Sequence, residues 1–393
     1  MKVCFISPNV LPVPAVKGGA CETLVETIIK YNEIYNLFDI TNVSIFEEKA
    51  VEKSKMYHNT DFIFIKEGKS EVCDLFFKEK DNVFYNYMEN VYEKIKDLDL
   101  DLIVIEGGDL EGYKYLLEKF PHKKCVAHFH GKPVASKILD ETYEHFISVS
   151  EFVSNNFLNG NWINPDRVKV VYNGIEIEKF LKRLNEEEKE NIRKQYNIKK
   201  EENVVLFCGR PVKSKGIKEL ISAFKEIKEL ENSKLIIVGN SVFGNFAETE
   251  FDKELVEISK DIQDKVIFTN FIHNDDLYKI HNIADIAVVP TISEEPFGMV
   301  VVEYLASGIP LIVTKSGGMP EIVEGSGAIV INKNEKMILE LTNAIDYLIE
   351  NPDKRCEMSK NEEIIAEKFS GEKYYKNMYE ALKSFCLKNQ KED

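Results

Sequence analysis

The sequence predicts an α/β fold with two domains, each built around a parallel β-sheet that is flanked by helices. Short apolar strands alternate with segments of helical periodicity along the whole chain, which is typical of such sheets. A length of 393 residues also favours two domains over one. The turn signal Y-N-G-I at 172–175 separates two series of strands, so we place the interdomain hinge near 173–178.

Each series contains six expected strands. The first series comprises 2–7, 40–46, 101–105, 125–129, 145–149 and 168–172. The second comprises 203–208, 234–238, 265–269, 285–290, 310–313 and 328–331. Residues 47–90 are polar and aromatic without a clear period and are left unassigned.

The helical segments complete the domain assignment. One helix begins near Ala20, a charged and solvated helix covers 185–199, and an amphipathic helix covers 372–388. We therefore assign 1–175 to an N-terminal domain and 176–371 to a C-terminal domain. The terminal helix, 372–390, is expected to pack back near the N-terminal domain.

Charge and cysteine content exclude several classes of protein. A net charge of -16 argues against a nucleic-acid partner, because phosphate binding needs a basic surface. The seven cysteines are scattered without a C-x-x-C pair, so structural zinc is not expected and a reducing compartment fits. The chain opens directly on a strand and has no apolar run of about twenty residues. We expect a cytoplasmic protein.

The segment 294–303, E-E-P-F-G-M-V-V-V-E, is the most informative part of the chain. It follows the apolar strand 285–290, and Pro296 suits the first position of a helix because its φ is fixed and its missing N–H is not needed there. Backbone amides at a helix N-terminus form an anion site. The amides expected there are those of Phe297, Gly298 and Met299.

Two carboxylates flank this expected anion site. Glu295 stands at its mouth, and Glu303 lies about two turns into the helix. A carboxylate can accept two hydrogen bonds from a ribose diol, so Glu303 is a candidate for the ribose and Glu295 for the transferred sugar. The alternatives are a helix-surface glutamate for Glu303 and a simple N-terminal acid for Glu295. A diphosphate between two carboxylates suggests a nucleotide-sugar.

Four motifs in the expected order resemble retaining glycosyltransferases of family 4. The stretch 208–216, C-G-R-P-V-K-S-K-G, looks like the family's G-R-x-x-x-x-K-G loop. The others are Asn173-Gly174, the E-x7-E pair Glu295 and Glu303, and S-G-G-M-P-E at 316–321. The resemblance implies a GT-B fold, with two Rossmann-like domains facing a deep interdomain cleft.

The resemblance also implies roles for Arg210 and Lys215. Both follow a predicted strand at its carboxyl end, where open α/β sheets bind ligands. Two cations there would stabilise the charge on a departing β-phosphate without a metal. Solvated surface positions are the simpler interpretation for Lys213 and Lys218.

In the N-terminal half, Gly18-Gly19 resembles the family's glycine loop and is assigned to donor binding, although turn geometry alone could explain it. His130 matches the family's histidine near the donor sugar and joins Glu295, Arg210 and Lys215 as a catalytic candidate. His128 shares its strand face and is equally well explained as structural. Ile272 is a candidate contact to the base, although Asn270 departs from the family's usual glycine.

The resemblance predicts a hexosyltransferase without a metal or other cofactor. The D-x-D run at 97–101 precedes a strand instead of ending one, so it lies at the wrong edge for a metal. The expected donor is a UDP-sugar of the glucose or N-acetylglucosamine type. The expected acceptor is a hydroxyl of a glycan or glycoconjugate, as in polysaccharide biosynthesis. Peripheral contact with a membrane is compatible with the sequence but not indicated by it.

Two alternatives stay open. A sugar-nucleotide epimerase or a phosphorylase could share the fold, but neither the additional acidic and histidine groups of the first nor the cofactor lysine of the second is evident. A catalytically idle coat or scaffold protein is the other alternative. The segment 11–20, L-P-V-P-A-V-K-G-G-A, is weakly similar to spore-coat-associated glycosyltransferase-like proteins.

Overall fold

The computed structural model describes residues 1–66, 82–239, 249–269 and 272–389. The chain folds into an N-terminal unit, Met1–Ile175 with Gly371–Asp393, and a C-terminal unit, Glu176–Ser370. The amide of Gly371 donates to the carbonyl of Ile175 at 2.7 Å. Gly371 therefore lies in the N-terminal unit, whereas the sequence assigned it to the C-terminal domain.

Each unit has its own set of strands. Those of the N-terminal unit are β1 (Lys2–Ile6), β2 (Asp39–Ile45), β3 (Thr60–Ile65), β4 (Leu102–Glu106), β5 (Cys125–Phe129), β6 (His145–Ser148) and β7 (Val168–Val170). Those of the C-terminal unit are β8 (Asn203–Cys208), β9 (Ser233–Val238), β10 (Val266–Thr269), β11 (Ile286–Val289), β12 (Leu311–Thr314) and β13 (Ile329–Ile331).

The helices alternate with these strands. They are α1 (Ala20–Tyr35), α2 (Glu48–Ser54), α3 (Asn82–Ile95), α4 (Lys114–Leu117), α5 (Lys137–Thr142), α6 (Glu151–Leu158), α7 (Ile177–Phe180), α8 (Glu186–Gln195), α9 (Ile217–Lys225), α10 (Glu250–Ile258), α11 (Leu277–His281), α12 (Met299–Ser307), α13 (Met319–Ile322), α14 (Met337–Glu350), α15 (Pro352–Ala366) and α16 (Gly371–Asn389). Among the described residues no helix is both long enough and apolar enough to cross a membrane.

The N-terminal sheet is parallel, with the order β3-β2-β1-β4-β5-β6-β7. The α/β prediction is confirmed, and β3 is the strand that the sequence left unassigned. β3 lies at the sheet edge and several of its side chains are only partly covered. An edge strand of this kind lacks the continuous apolar run by which buried parallel strands are recognised. The expected strands after 90 coincide with β4 to β7 to within a few residues.

The returning helix α16 packs on α1 in the N-terminal unit. The Tyr375 hydroxyl donates to Asn32 Oδ1 at 2.8 Å and accepts from the Leu37 amide at 3.0 Å. The Tyr375 ring also meets that of Phe38 edge to face, with centroids 5.4 Å apart. These contacts join the end of the chain to its beginning, and no local pattern of the sequence reveals them.

The C-terminal sheet is also parallel, with the order β10-β9-β8-β11-β12-β13. Val205 and Phe207 of β8 join Leu235 and Ile237 of β9 in a buried cluster with α9 and α14. The chain runs outward from β8 to β10 on one side and from β11 to β13 on the other. The order therefore reverses between β8 and β11, and the carboxyl edge at such a point is where open α/β sheets bind ligands.

Candidate active site

Two loops meet at the carboxyl edge between β8 and β11. After β8, a 3₁₀ turn at Lys213–Lys215 leads through Gly216, whose φ is +71°. The Ile292 amide donates to the Ser214 carbonyl at 2.9 Å. A Cβ on Gly216 would lie 1.9 Å from the Pro290 carbonyl oxygen, so only glycine permits this approach.

The contact between these loops brings Lys215 to Glu295. Lys215 Nζ lies 2.6 Å from Glu295 Oε2, and the two side chains are 27% and 21% exposed. Two of the four residues that the sequence singled out as catalytic therefore form an ion pair, although eighty positions separate them in the chain. The pairing needs the neighbouring positions of β8 and β11, which sequence spacing does not reveal.

The loop after β12 holds Glu295 from the other side. The Glu295 amide donates to Ser316 Oγ at 3.1 Å, and its carbonyl accepts from the Gly318 amide at 2.9 Å. Glu294 accepts from the Gly317 amide at 2.6 Å and from Lys333 Nζ, also at 2.6 Å. The backbone of Glu295 is thus bonded on both sides, so its side-chain torsions supply most of its freedom.

The helix that follows begins later than the sequence predicts. α12 starts at Met299, with Gly298 before it at a φ of 104°, so Pro296 is not its first residue and that prediction is wrong. The amide of Val301 donates to the Gly298 carbonyl at 3.0 Å. The amides that open the helix toward a ligand are therefore those of Met299 and Val300.

Phe297 lies outside this first turn. Its side chain is only 3% exposed, and its ring meets that of Phe369 with centroids 5.9 Å apart. The residue anchors the segment before α12 to the interior of the C-terminal unit. The burial concerns the side chain alone, so the contribution of the Phe297 backbone amide to donor binding stays a prediction.

Glu303 lies one turn into α12 instead of two. It follows Met299 by four residues, so the two side chains share a helix face. The carboxyl is partly buried, and burial raises the pKa of Glu303 to about 7. A partly buried carboxylate beside the open helix end suits a ligand that donates hydroxyl groups.

A neutral polar layer lies behind Glu303. Ser307 donates to the Glu303 carbonyl at 2.9 Å and lies 2.7 Å from His281 Nδ1. The other ring nitrogen of His281 is 3.8 Å from Cys208 Sγ at the end of β8. Burial lowers the pKa of His281 to about 3, so this ring is uncharged. The buried ring of His281 is therefore a structural group.

Arg210 and Ile272 lie at strand ends on the same sheet. Arg210 is exposed, in the loop that joins β8 to the Lys213–Lys215 turn. Ile272 is partly buried and follows the edge strand β10. Asn270, which departs from the family pattern, lies outside the described residues. The role of Ile272 at a base stays a prediction.

The N-terminal unit has a comparable edge where its strand order reverses between β1 and β4. Gly18 and Gly19 end the loop after β1 with φ values of 77° and 99°, and Gly19 precedes α1. A Cβ on Gly19 would lie 2.1 Å from Glu22 Oε2. At Gly18 a Cβ would meet no heavy atom of the described residues within 4 Å, so its lack of a side chain leaves open space.

His128 and His130 do share a strand face, and both contact Glu106. Glu106 Oε2 lies 2.9 Å from His128 Nδ1 and 2.9 Å from His130 Nε2. Burial alone would raise the pKa of Glu106, but the two histidines outweigh it and hold the pKa well below the usual value. Burial, with His128 beside it, lowers the pKa of His130 although Glu106 opposes the shift. The carboxylate therefore orients two histidine rings.

Glu106 is the last residue of β4, and its side chain is fully buried. Its register opposite His128 on β5 brings the three groups together. The sequence shows an acid that ends an apolar strand, but strand order alone reveals which residue lies opposite.

The ligand atoms of this trio lie within 4.8 Å of one another, close enough for one metal ion. Ligands of a tetrahedral zinc ion would lie about 3.3 Å apart. The observed 2.9 Å is an ordinary N–H···O distance, and it favours a hydrogen-bonded network. The prediction that the protein needs no metal stays a prediction.

A second acid lies near this network. Glu22, in the first turn of α1, is only 5% exposed, and its burial, assisted by the charge of Glu106, raises its pKa to about 7. Sequence reasoning missed Glu22, because an acid in a first helical turn is ordinarily a solvated partner of the helix dipole.

Most of the C-terminal unit matches a known protein family. Residues 188–365 match the family of glycosyl transferases group 1. The chain is 25% identical to the lipopolysaccharide 1,2-N-acetylglucosaminetransferase of Salmonella typhimurium, over 98% of each chain. It is 24% identical to spore coat protein SA of Bacillus subtilis, over 92% of this chain and 93% of that protein.

The fold is likewise similar to that of solved structures. The crystal structure of Anabaena Alr3699/HepE in complex with UDP superposes with a TM-score of 0.75 at 20% identity, covering 98% of this chain and all of the other. The α/β architecture with two Rossmann-like domains, the family match and the named relatives together identify the chain as a glycosyltransferase with the GT-B fold.

Proposed function

We propose that this glycosyltransferase moves a hexosyl group, of the glucose or N-acetylglucosamine type, from a UDP-sugar to a hydroxyl of a glycan or glycoconjugate acceptor. The observation that carries the proposal is the arrangement at the carboxyl edge of β8 and β11. Lys215, Glu295, the open end of α12 and Glu303 are joined there by direct contacts or by one helical turn. Cation, amides and carboxylates are the groups that a nucleotide-sugar requires.

Each group has a separate role in the proposed reaction. Lys215 and the amides of Met299 and Val300 donate hydrogen bonds to the diphosphate, and exposed Arg210 adds a second cation. Glu303 accepts the ribose hydroxyls, and Glu295 accepts hydroxyls of the sugar. In the N-terminal unit, we propose that His130, Gly18 and Gly19 contact substrate.

The proposed transfer retains the anomeric configuration. The bond from the anomeric carbon to the diphosphate oxygen breaks, and a bond to the acceptor oxygen forms on the same face. The acceptor's proton passes to the departing diphosphate, whose growing charge Lys215 and the helix end stabilise. No metal is needed in this scheme because fixed cations and amides supply the compensation.

Named relatives support the substrate classes. The solved structure with UDP motivates the choice of base, and the Salmonella transferase acts, by its name, with N-acetylglucosamine on lipopolysaccharide. Similarity to spore coat protein SA keeps the idle-coat alternative testable. The intact Lys215–Glu295 pair beside the open helix end favours catalysis over idleness.

The first experiment is a thermal-shift panel of UDP-, GDP- and ADP-sugars, with and without EDTA, followed by donor hydrolysis assays. We expect stabilisation by UDP-sugars that EDTA leaves unchanged, and NMR of the product should show the donor's anomeric configuration. Stabilisation that requires a divalent cation would contradict the metal-free proposal. Absence of calorimetric UDP binding would revive the coat-protein alternative.

Two substitutions separate the proposed roles. Glu303→Ala should weaken donor binding, whereas Glu295→Ala should mainly lower turnover. Glu254→Gln is the matched control, because this acid pairs with Lys218 on the surface at 2.7 Å. Unchanged kinetics in both site variants would show that the site is assigned wrongly.

A further inference from the structure

Glu295 already pairs with Lys215, which is the cation that the proposed donor needs. Lys215 Nζ is 2.6 Å from Glu295 Oε2, so the ammonium donates a charge-assisted hydrogen bond to the carboxylate. The same ammonium is the proposed partner of the diphosphate. Glu295 is in turn the proposed partner of the sugar. Each residue of the ion pair is therefore also a proposed contact of the donor.

Resting on the proposed function, we propose that the donor's diphosphate and Glu295 compete for Lys215. Binding of the diphosphate displaces the Glu295 carboxylate, which then becomes available to the sugar hydroxyls. Glu295 would therefore oppose binding of the nucleotide and favour binding of the sugar. The ion pair makes occupation of the sugar position depend on occupation of the phosphate position.

The geometry supports an exchange in preference to a shared ammonium. Two anions on one ammonium would bring like charges within a few ångströms of each other, which is unfavourable. The backbone of Glu295 is bonded to Ser316 and Gly318, so only its side chain can turn away. Both side chains retain some solvent access, at 27% and 21%, so the turn needs no opening of the core.

The glycine at 298 leaves room beside the acid. A Cβ at Gly298 would lie 3.6 Å from Glu295 Cγ, so the side chain already lies beside the start of α12. A short torsional movement would carry the carboxylate from Lys215 along this helix end. The proposed movement thus stays within one side chain and its immediate neighbours.

The test is a double-mutant cycle read by calorimetric binding of UDP and of inorganic pyrophosphate. Glu295→Gln frees Lys215, and partly exposed ion pairs are weak enough that we expect a roughly two- to fivefold tighter Kd for both ligands. Lys215→Gln should weaken both ligands. In the Lys215→Gln background, Glu295→Gln should no longer tighten binding, because the ammonium for which Glu295 competes is absent.

A simple charge effect predicts a different pattern. If Glu295 only repels the diphosphate at a distance, Glu295→Gln will tighten binding equally with and without Lys215, and the exchange is refuted. Unchanged or weaker binding in Glu295→Gln alone would also refute it. Glu254→Gln removes one negative charge from the surface pair with Lys218 and should leave both Kd values unchanged.

The two ligands separate failure of the exchange from failure of the proposed donor. If the wild-type protein does not bind UDP, but pyrophosphate binds the variants in the expected pattern, the exchange is supported and the UDP-sugar proposal is refuted. UDP binding with additive substitutions would retain the donor and overturn the exchange. Absence of binding by both ligands would overturn both.

Discussion

Glu303→Gln is expected to stabilise the C-terminal unit in alkaline solution while weakening nucleotide binding. Burial raises the pKa of Glu303 from its ordinary 4.5 to about 7, so folding disfavours the ionised carboxylate. Because the folded-state pKa is the higher one, the corresponding stability is complete below about pH 4.5. It is lost as the pH rises through about 7. A neutral glutamine has no such dependence.

The magnitude follows from the two pKa values. The difference between 4.5 and about 7 corresponds to about 3 kcal/mol at about 1.36 kcal/mol per pH unit. Between about pH 5 and pH 8 we expect about 2 kcal/mol, because the unfolded carboxyl is already partly ionised at the lower pH and solvent reaches the partly buried group. Glu303→Gln should therefore gain about 2 kcal/mol relative to wild type over that interval.

The assay is urea unfolding of both proteins at about pH 5 and about pH 8, on either side of the shifted pKa. The matched control is Glu357→Gln on α15, an acid whose side chain is 61% exposed and lies 2.9 Å from Lys354. Because the control keeps Glu303, its stability should differ from that of wild type by about the same amount at both pH values. A stability difference between Glu303→Gln and wild type that is equal at the two pH values would refute the reasoning.

Ligand binding provides the second readout of the same carboxyl. Ribose hydroxyls donate to the ionised form, so UDP should bind wild type more tightly as the pH rises through about 7. Calorimetry in buffers of different ionisation enthalpy should detect proton release. UDP binding to Glu303→Gln should be weaker and should lose this pH dependence.

Three further perturbations test the framework around the site. Gly216→Ala should cost at least about 2 kcal/mol in urea unfolding, because its φ is +71° and a Cβ would meet the Pro290 carbonyl. Gly131→Ala, whose Cβ would meet no atom of the described residues within 4 Å, should have no comparable effect. Tyr375→Phe removes two hydrogen bonds between α16 and the rest of the N-terminal unit. It should cost about 1–2 kcal/mol in unfolding without changing UDP affinity. Because the pKa of Glu106 is lowered on folding, its ionised carboxylate stabilises the folded protein. This stabilisation is complete above about pH 4.5 and is lost as acid protonates the carboxylate. Glu106→Gln should destabilise the protein at neutral pH by about 3 kcal/mol and flatten the acid unfolding curve, and an unchanged curve would contradict the histidine pairing.

The strands of the C-terminal unit, and the residue types at their carboxyl ends, could be predicted from the amino-acid sequence. Buried parallel strands such as β8 and β11 are continuous apolar runs on both faces, so they can be recognised without knowledge of their neighbours. The glycine at 216 was recognisable too, since it belongs to a motif with fixed spacing. Local chemistry and local spacing carried these predictions.

Which of these residues meet could be learned only from the folded chain. Lys215 contacts Glu295 because β8 and β11 are adjacent, and Glu106 contacts His128 because β4 and β5 pair in that register. Helix α12 begins at Met299 and not at Pro296, and Phe297 before it packs against Phe369, a residue distant in the sequence. Strand order, register and burial join residues that are distant in sequence, and no local pattern encodes them.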